Sequence, residues 1–259
     1  MADDVADRFR ETGVVRVDSA FTPAEAGAIH NMVWRQVEQR SKVRLADAAT
    51  WSAAEDGSFG LSALAGRSEF WPVLGNAAVQ DALDVIFGSG GWHTPVKPSA
   101  QVLLTFPQPG PWVMPHGWHI DFGFDQPTWP VFAVKVFSFF GEVKPECGGT
   151  LVLEGSHRLV EQFAAGNPAN ADGGEDAFVP SYPWLEHLTR GGSTAEPLRE
   201  LVGESHEVEG VRVGVVELTG SPGDVVITHM HVMHSPSPNA GDTPRQMLGL
   251  EVPRAVGST

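Results

Sequence analysis

The sequence predicts a mainly β fold, a sandwich or barrel preceded by helices. Three observations carry this. From about residue 99 onward, short β-branched and aromatic runs recur between turn residues, which is the pattern of an all-β core and not of alternating β and α units. The chain holds 29 glycines and 20 prolines in 259 residues, enough to supply many turns. The first third instead carries helix caps and apolar residues at helical spacing. A β unit of this length is commonly one domain, so residues 1–259 are read as a single domain, mainly helical over 1–98 and β over 99–259.

The first clear helix begins at "FTPAEAGAIHNMVWRQVEQR". Thr22 is its N-cap, Pro23 takes the first helical position and Glu25 closes a capping box, while Ile29, Met32, Val33 and Val37 share one face. A second helix is expected over Asn76–Phe87, with Val79, Leu83, Ile86 and Phe87 at helical spacing and Gly88 as its stop. The expected strands are "AQVLLTF", "VFAVKVFSFF", "GTLVLEG", "VEGVRVGVVEL", "GDVVITH" and "RQMLGLEV". Between about 166 and 205 the β pattern breaks into "GNPANADGGEDAF" and a helical piece around "YPWLEHLTRGG". Connections this long in a compact domain are commonly functional, and a lid is expected here.

Charge and composition exclude several partners. A formal net charge of −15 opposes binding to a phosphate backbone or an anionic membrane surface. No apolar run reaches the 18 or so residues that cross a bilayer. The single cysteine, Cys147, rules out an internal disulfide, and the opening "MADDVADRFRETG" lacks the basic and apolar regions of a signal peptide. A cytoplasmic protein with a small-molecule partner is expected; oligomeric state is open.

The chemistry concentrates in "PHGWHIDFGF", residues 115–124. An ionised carboxylate in such an aromatic stretch is costly unless it is paired or coordinated. In an extended segment residues two apart share a face, so His119 and Asp121 can reach one ion. A second histidine downstream would complete a two-histidine, one-carboxylate set that leaves three metal positions open, as in non-haem Fe(II) oxygenases. "GDVVITHMHVMHSPSPNAGDTPRQ" offers His229, His231 and His234. Arg245 follows at the start of a strand, and its guanidinium fork suits the far carboxylate of a dicarboxylic cosubstrate, 2-oxoglutarate.

Taken together, "FRETGVVRVDSAFTPAEAGAI", "WHID", "GGTLVLEGSHR" and "GDVVITHMHVMHSPSPN" with Arg245 resemble, in order and spacing, the phytanoyl-CoA dioxygenase family of Fe(II)/2-oxoglutarate oxygenases. The resemblance implies a double-stranded β-helix (a cupin-like jelly roll) with iron held by His119, Asp121 and His234, and with 2-oxoglutarate docked on Arg245. It also implies that His229 is not a ligand. It matches Gln101 to a region where relatives place an amide on the cosubstrate. The family's serine after the second histidine is displaced here into His234-Ser235-Pro236-Ser237, so whether the Ser235 or the Ser237 hydroxyl assists Arg245 stays open, and Ser235 is carried with Arg245 as a cosubstrate contact.

His116, Trp118, Phe122 and Trp184 are the candidate pocket residues, while His93 and His157 read as structural. The expected activity is hydroxylation, or another oxidation, of a small molecule's C–H bond with O₂; the family's CoA-thioester activity is not carried over, because no basic cluster is evident to grip a nucleotide. Specialised biosynthesis is the expected setting. A cupin-like metal-dependent hydrolase or isomerase, or an inactive binding module on the same fold, is the alternative.

Overall fold

The computed structural model describes residues 2–54, 59–95, 100–121, 123–166, 174–190 and 198–255. Its elements run α1 (Ala2–Thr12), β1 (Val14–Val17), α2 (Pro23–Arg40), α3 (Trp71–Gly75), α4 (Ala77–Phe87), β2 (Ala100–Thr105), β3 (Ala133–Phe139), β4 (Leu151–Glu154) and α5 (Ser156–Gly166). Then follow α6 (Gly174–Phe178), α7 (Pro183–Arg190), α8 (Leu198–Leu201), β5 (Ser205–Val208), β6 (Val211–Glu217), β7 (Val225–His229), β8 (His234–Ser235) and β9 (Arg245–Pro253). The strands form a larger sheet in the order β1-β7-β3-β9-β2 and a smaller one in the order β5-β6-β4-β8, with every paired strand antiparallel.

Both expected helices form as read. Thr22 accepts from the Glu25 amide while the Glu25 carboxylate accepts from the Thr22 amide, closing the capping box. Asn76 caps α4, which stops at Gly88 with φ 82°, a left-handed conformation that glycine adopts without cost. One element of the helical third is a strand: β1 takes the free edge of β7, with Val14 opposite Thr228. Four residues carry too little alternation to announce a strand, and β1 exists because β7 offers it an edge.

Strand alternation sorts the core into layers. Val134, Val136, Leu248, Leu250 and Val252 pack outward against Ile29, Val33, Leu74 and Leu83 of the N-terminal helices. On the opposite, inner face, Phe137, Phe139, Val226 and Met247 meet Val152 of the smaller sheet. A third layer covers the outside of that smaller sheet, where Leu151, Leu153 and Val213 meet Leu159, Phe163, Phe178 and Leu185.

That third layer corrects the expectation of a lid. Phe178 and Leu185 are fully buried and Leu188 nearly so. Exposing the three would cost about 6 kcal/mol at about 2 kcal/mol per side chain. Residues 174–190 are therefore a packed wall, and the remainder of the expected lid, 167–173 and 191–197, lies outside the described residues.

Candidate metal centre

The segment carrying His119 and Asp121 is not the regular strand expected from its spacing. A bridge joins it to β8, in which the amides and carbonyls of His119 and His234 bond reciprocally at 2.9 Å. This bridge fastens the loop to the short strand β8 and sets the two imidazoles side by side, 4.3 Å between ring centres.

The backbone then fixes which nitrogen each ring presents. His119 Nδ1 lies 2.7 Å from the Gly117 carbonyl, and His234 Nδ1 lies 3.1 Å from the Val232 carbonyl. A carbonyl only accepts, so each Nδ1 carries the proton and each Nε2 keeps a free lone pair. Both Nε2 atoms face one carboxylate: His119 stands 3.7 Å from Asp121 Oδ1 and His234 stands 3.4 Å from Asp121 Oδ2. The three ligand atoms lie within 4.8 Å of one another. Carbonyl-held imidazoles of this kind are the usual support for metal-ligating histidines. Burial lowers the pKa of His234 to about 4 against the opposing pull of Asp121, so the ring is neutral near pH 7, as a ligand must be.

Arg245 lies on the inner face of β9. It is buried, its Nη1 donates to Thr150 Oγ1 at 3.3 Å, and its Nε is buried without a partner. Burial lowers its pKa to about 10, partly offset by Glu217, so the guanidinium remains charged near neutrality. A buried cation with a bare donor fits an incoming carboxylate.

The hydroxyl beside Arg245 belongs to Thr150, which corrects the assignment of Ser235. Register explains the difference. His234 pairs with Val152 and Ser235 with Leu151, so the two side chains leave β8 on opposite faces, and the Ser235 hydroxyl donates to the Pro236 carbonyl at 3.1 Å. Gln101 is exposed on β2 opposite Gly249, on the inner-facing set of residues with Leu103 and Met247.

The aromatic candidates separate. Trp118 is buried in the third layer, with Nε1 on Met114 Sδ at 3.4 Å, because it alternates with His119 and so leaves the loop on the other side. Trp184 packs against that layer and faces the His206 ring at 4.9 Å. Neither lines the metal centre. His116 is exposed, three residues before His119, and Phe122 lies outside the described residues.

One neighbour of the centre was not foreseen. Lys135 of β3 is buried, and its Nζ donates to Asp121 Oδ2 at 2.6 Å. Its signal was a lysine in the middle of the apolar run "VFAVKVFSFF", since lysine is rarely buried unless paired. His229 and His231 belong to another cluster with His157, with successive ring centres 5.3 Å apart.

A family model for phytanoyl-CoA dioxygenase matches residues 9–247. The chain belongs to the phytanoyl-CoA dioxygenase family. Membership makes it an Fe(II)- and 2-oxoglutarate-dependent oxygenase that uses O₂. Solved structures of similar fold include the non-heme alpha ketoglutarate dependent epimerase SnoN from nogalamycin biosynthesis, at 19% identity and TM-score 0.50 over 97% of this chain and 81% of that one. The non-heme alpha ketoglutarate dependent carbocyclase SnoK from nogalamycin biosynthesis gives 15% and 0.55 over 98% and 84%. AviO1 from Streptomyces viridochromogenes Tue57 gives 17% and 0.53 over 100% and 97%. At these identities the likeness speaks for the fold, and no curated protein sequence matches the chain. Among the described residues, no helix is long and apolar enough to cross a membrane.

Proposed function

We propose that this family member hydroxylates, or otherwise oxidises, a C–H bond of a small molecule in specialised metabolism, in the cytoplasm. The observation that carries the reading is the pairing of two incomplete sites on the inner faces: a His119–Asp121–His234 donor set and a buried Arg245 with a bare Nε. Two imidazole nitrogens and one carboxylate oxygen suit Fe(II) and leave three positions for other ligands. His119, Asp121 and His234 would hold the metal, and Arg245 with Thr150 would receive the far carboxylate of 2-oxoglutarate. When bound, Fe(II) and 2-oxoglutarate supply the oxidising power, with release of succinate and CO₂.

The chain's own residues bind, orient and exclude water. The carbonyls of Gly117 and Val232 hold the imidazoles in the ligating tautomer. Phe137, whose ring centre lies 6.2 Å from that of His234, packs with Phe139 and Met247 in an apolar layer that closes one side of the site to water. Gln101 and the exposed His116 are the residues we assign to cosubstrate and substrate contact at the open side. Because Asp121 fills the carboxylate position, no ligand vacancy is left for halide, and oxygen insertion or a second oxidation is favoured over halogen transfer. The nogalamycin epimerase and carbocyclase share this fold, which supports a natural-product-like substrate over a CoA thioester.

The experiment is a small-molecule screen read by O₂ uptake and succinate release, with and without 2-oxoglutarate, followed by mass spectrometry of the product in excess chloride. A 2-oxoglutarate-dependent gain of oxygen, or loss of hydrogen, supports the reading. Turnover that ignores 2-oxoglutarate, or a halogenated main product, contradicts it.

A further inference from the structure

We infer that Lys135 is a positioning residue built to hold Asp121 by one oxygen, so that a metal ion meets this carboxylate as a one-oxygen ligand and at reduced affinity. The inference rests on the metal-centre reading given above.

Three independent features place the lysine. Its Nζ lies 2.6 Å from Asp121 Oδ2, which also faces His234 Nε2 at 3.4 Å, while Asp121 Oδ1 lies 3.7 Å from His119 Nε2. Its stem runs over Gly249 of the neighbouring strand: a Cβ added there would stand 3.3 Å from Lys135 Cε, so β9 leaves space where the lysine passes. The ammonium also lies 5.7 Å from the centre of the Phe137 ring, within cation–π range, on an inner face otherwise made of Phe137 and Phe139. A lysine in such a setting is destabilising unless a carboxylate receives it.

The consequence concerns both charge and shape. A carboxylate bound by an ammonium through Oδ2 has less electron density to give, and the ammonium repels a divalent ion that shares it. That repulsion outweighs the order one hydrogen bond confers, so Lys135 lowers metal affinity. In return, the lone pair of Oδ2 that the ammonium holds is kept from the metal, which disfavours both oxygens closing onto the ion together. The positions that a chelating cosubstrate needs stay open.

The test compares wild type with Lys135→Met, which keeps the stem and removes the donor, and with Lys135→Arg, which keeps a charged donor. Co(II) alone is titrated against tryptophan fluorescence and the visible absorption of the bound ion. 2-Oxoglutarate is then titrated into the anaerobic Fe(II) protein, read by its charge-transfer band. Lys135→Met is expected to bind Co(II) at least about three-fold more tightly, while its half-saturating 2-oxoglutarate rises by a similar factor. Lys135→Arg stays near wild type in both. Gly249→Ala, which pushes on the stem without touching the ammonium, shifts both in the same directions by less, and it carries the test if Lys135→Met does not fold. Equal or weaker Co(II) binding by the soluble Met variant, or by Gly249→Ala in its place, overturns the inference. Absence of Co(II) binding by the wild type overturns the metal-centre reading instead.

Discussion

Two groups of histidines meet in this fold, and of the two only His119 and His234 are arranged, with Asp121, to bind a metal. At the centre, His119 and His234 each spend Nδ1 on a carbonyl and turn Nε2 toward Asp121. In the second group, His229 Nδ1 accepts from the His231 amide at 3.0 Å, and its Nε2 donates to the Thr128 carbonyl at 3.0 Å, so no lone pair is left. His157 uses Nε2 on the Arg10 carbonyl at 3.1 Å and buries a bare Nδ1. The same residue type therefore serves as ligand donor or as core filler according to which ring nitrogen the backbone takes and whether a carboxylate stands across from it.

The comparison breaks most visibly through the metal. Asp121→Ala is expected to weaken Co(II) binding by at least about 100-fold, since loss of mere supporting groups already costs 10- to 100-fold. His231→Gln should leave it within about two-fold. Fluorescence titration of both variants checks this, and comparable losses in the two would erase the distinction between the groups.

Next in size is Arg245→Lys. The charge survives but the two-pronged geometry does not. Half-saturating 2-oxoglutarate should rise by roughly 10-fold or more, in line with about 1.5–3 kcal/mol for a charged hydrogen bond, with Co(II) affinity unchanged. A rise in Co(II) dissociation with no change in 2-oxoglutarate would reverse the assignment.

Acid sharpens the comparison from the other side. Burial lowers the pKa of His157 and His231 to about 4 and that of His229 well below its usual value. The unfolded rings take up protons near pH 6.5 while the folded ones resist. This contribution to stability is therefore intact above about pH 6.5 and is lost as the pH falls toward 4. At pH 5 the loss is on the order of 2 kcal/mol for each of His157 and His231. Urea midpoints at pH 7 and pH 5 should fall less steeply for His157→Gln than for wild type, and parallel slopes would contradict it. The smallest effect is expected from Thr150→Val, which removes the hydroxyl on Arg245 and should raise the 2-oxoglutarate requirement by a few-fold, about 1 kcal/mol, with the fold unchanged by circular dichroism.

Much of this was legible in the chain because it is local. The capping box at Thr22 and Glu25, the Asn76 cap and the β-branched and aromatic runs of β2, β3, β6 and β9 depend on neighbours within a few residues. His119, Asp121 and His234 were found through an unusual carboxylate and the order of motifs. What escaped depends on distant segments meeting. β1 exists only on the edge of β7, Thr150 reaches Arg245 across the two sheets, and Lys135 meets Asp121 from another strand. Trp118 and Trp184 were misplaced because sequence proximity to a ligand does not say on which side of the chain a ring leaves. Over 166–205 the length of the connection and its Gly/Asn/Asp-rich start suggest a lid, while Phe178 and Leu185 within it are core residues.

In the proposed reading, His119, Asp121 and His234 would hold Fe(II) and Arg245 would receive the far carboxylate of 2-oxoglutarate. Anaerobic absorption spectroscopy of the Fe(II) protein on adding 2-oxoglutarate tests it most directly. A visible charge-transfer band should develop in wild type, require far more 2-oxoglutarate in Arg245→Lys, and fail to form in Asp121→Ala under the same conditions. No band in wild type, or an undiminished band in Asp121→Ala, would contradict the account.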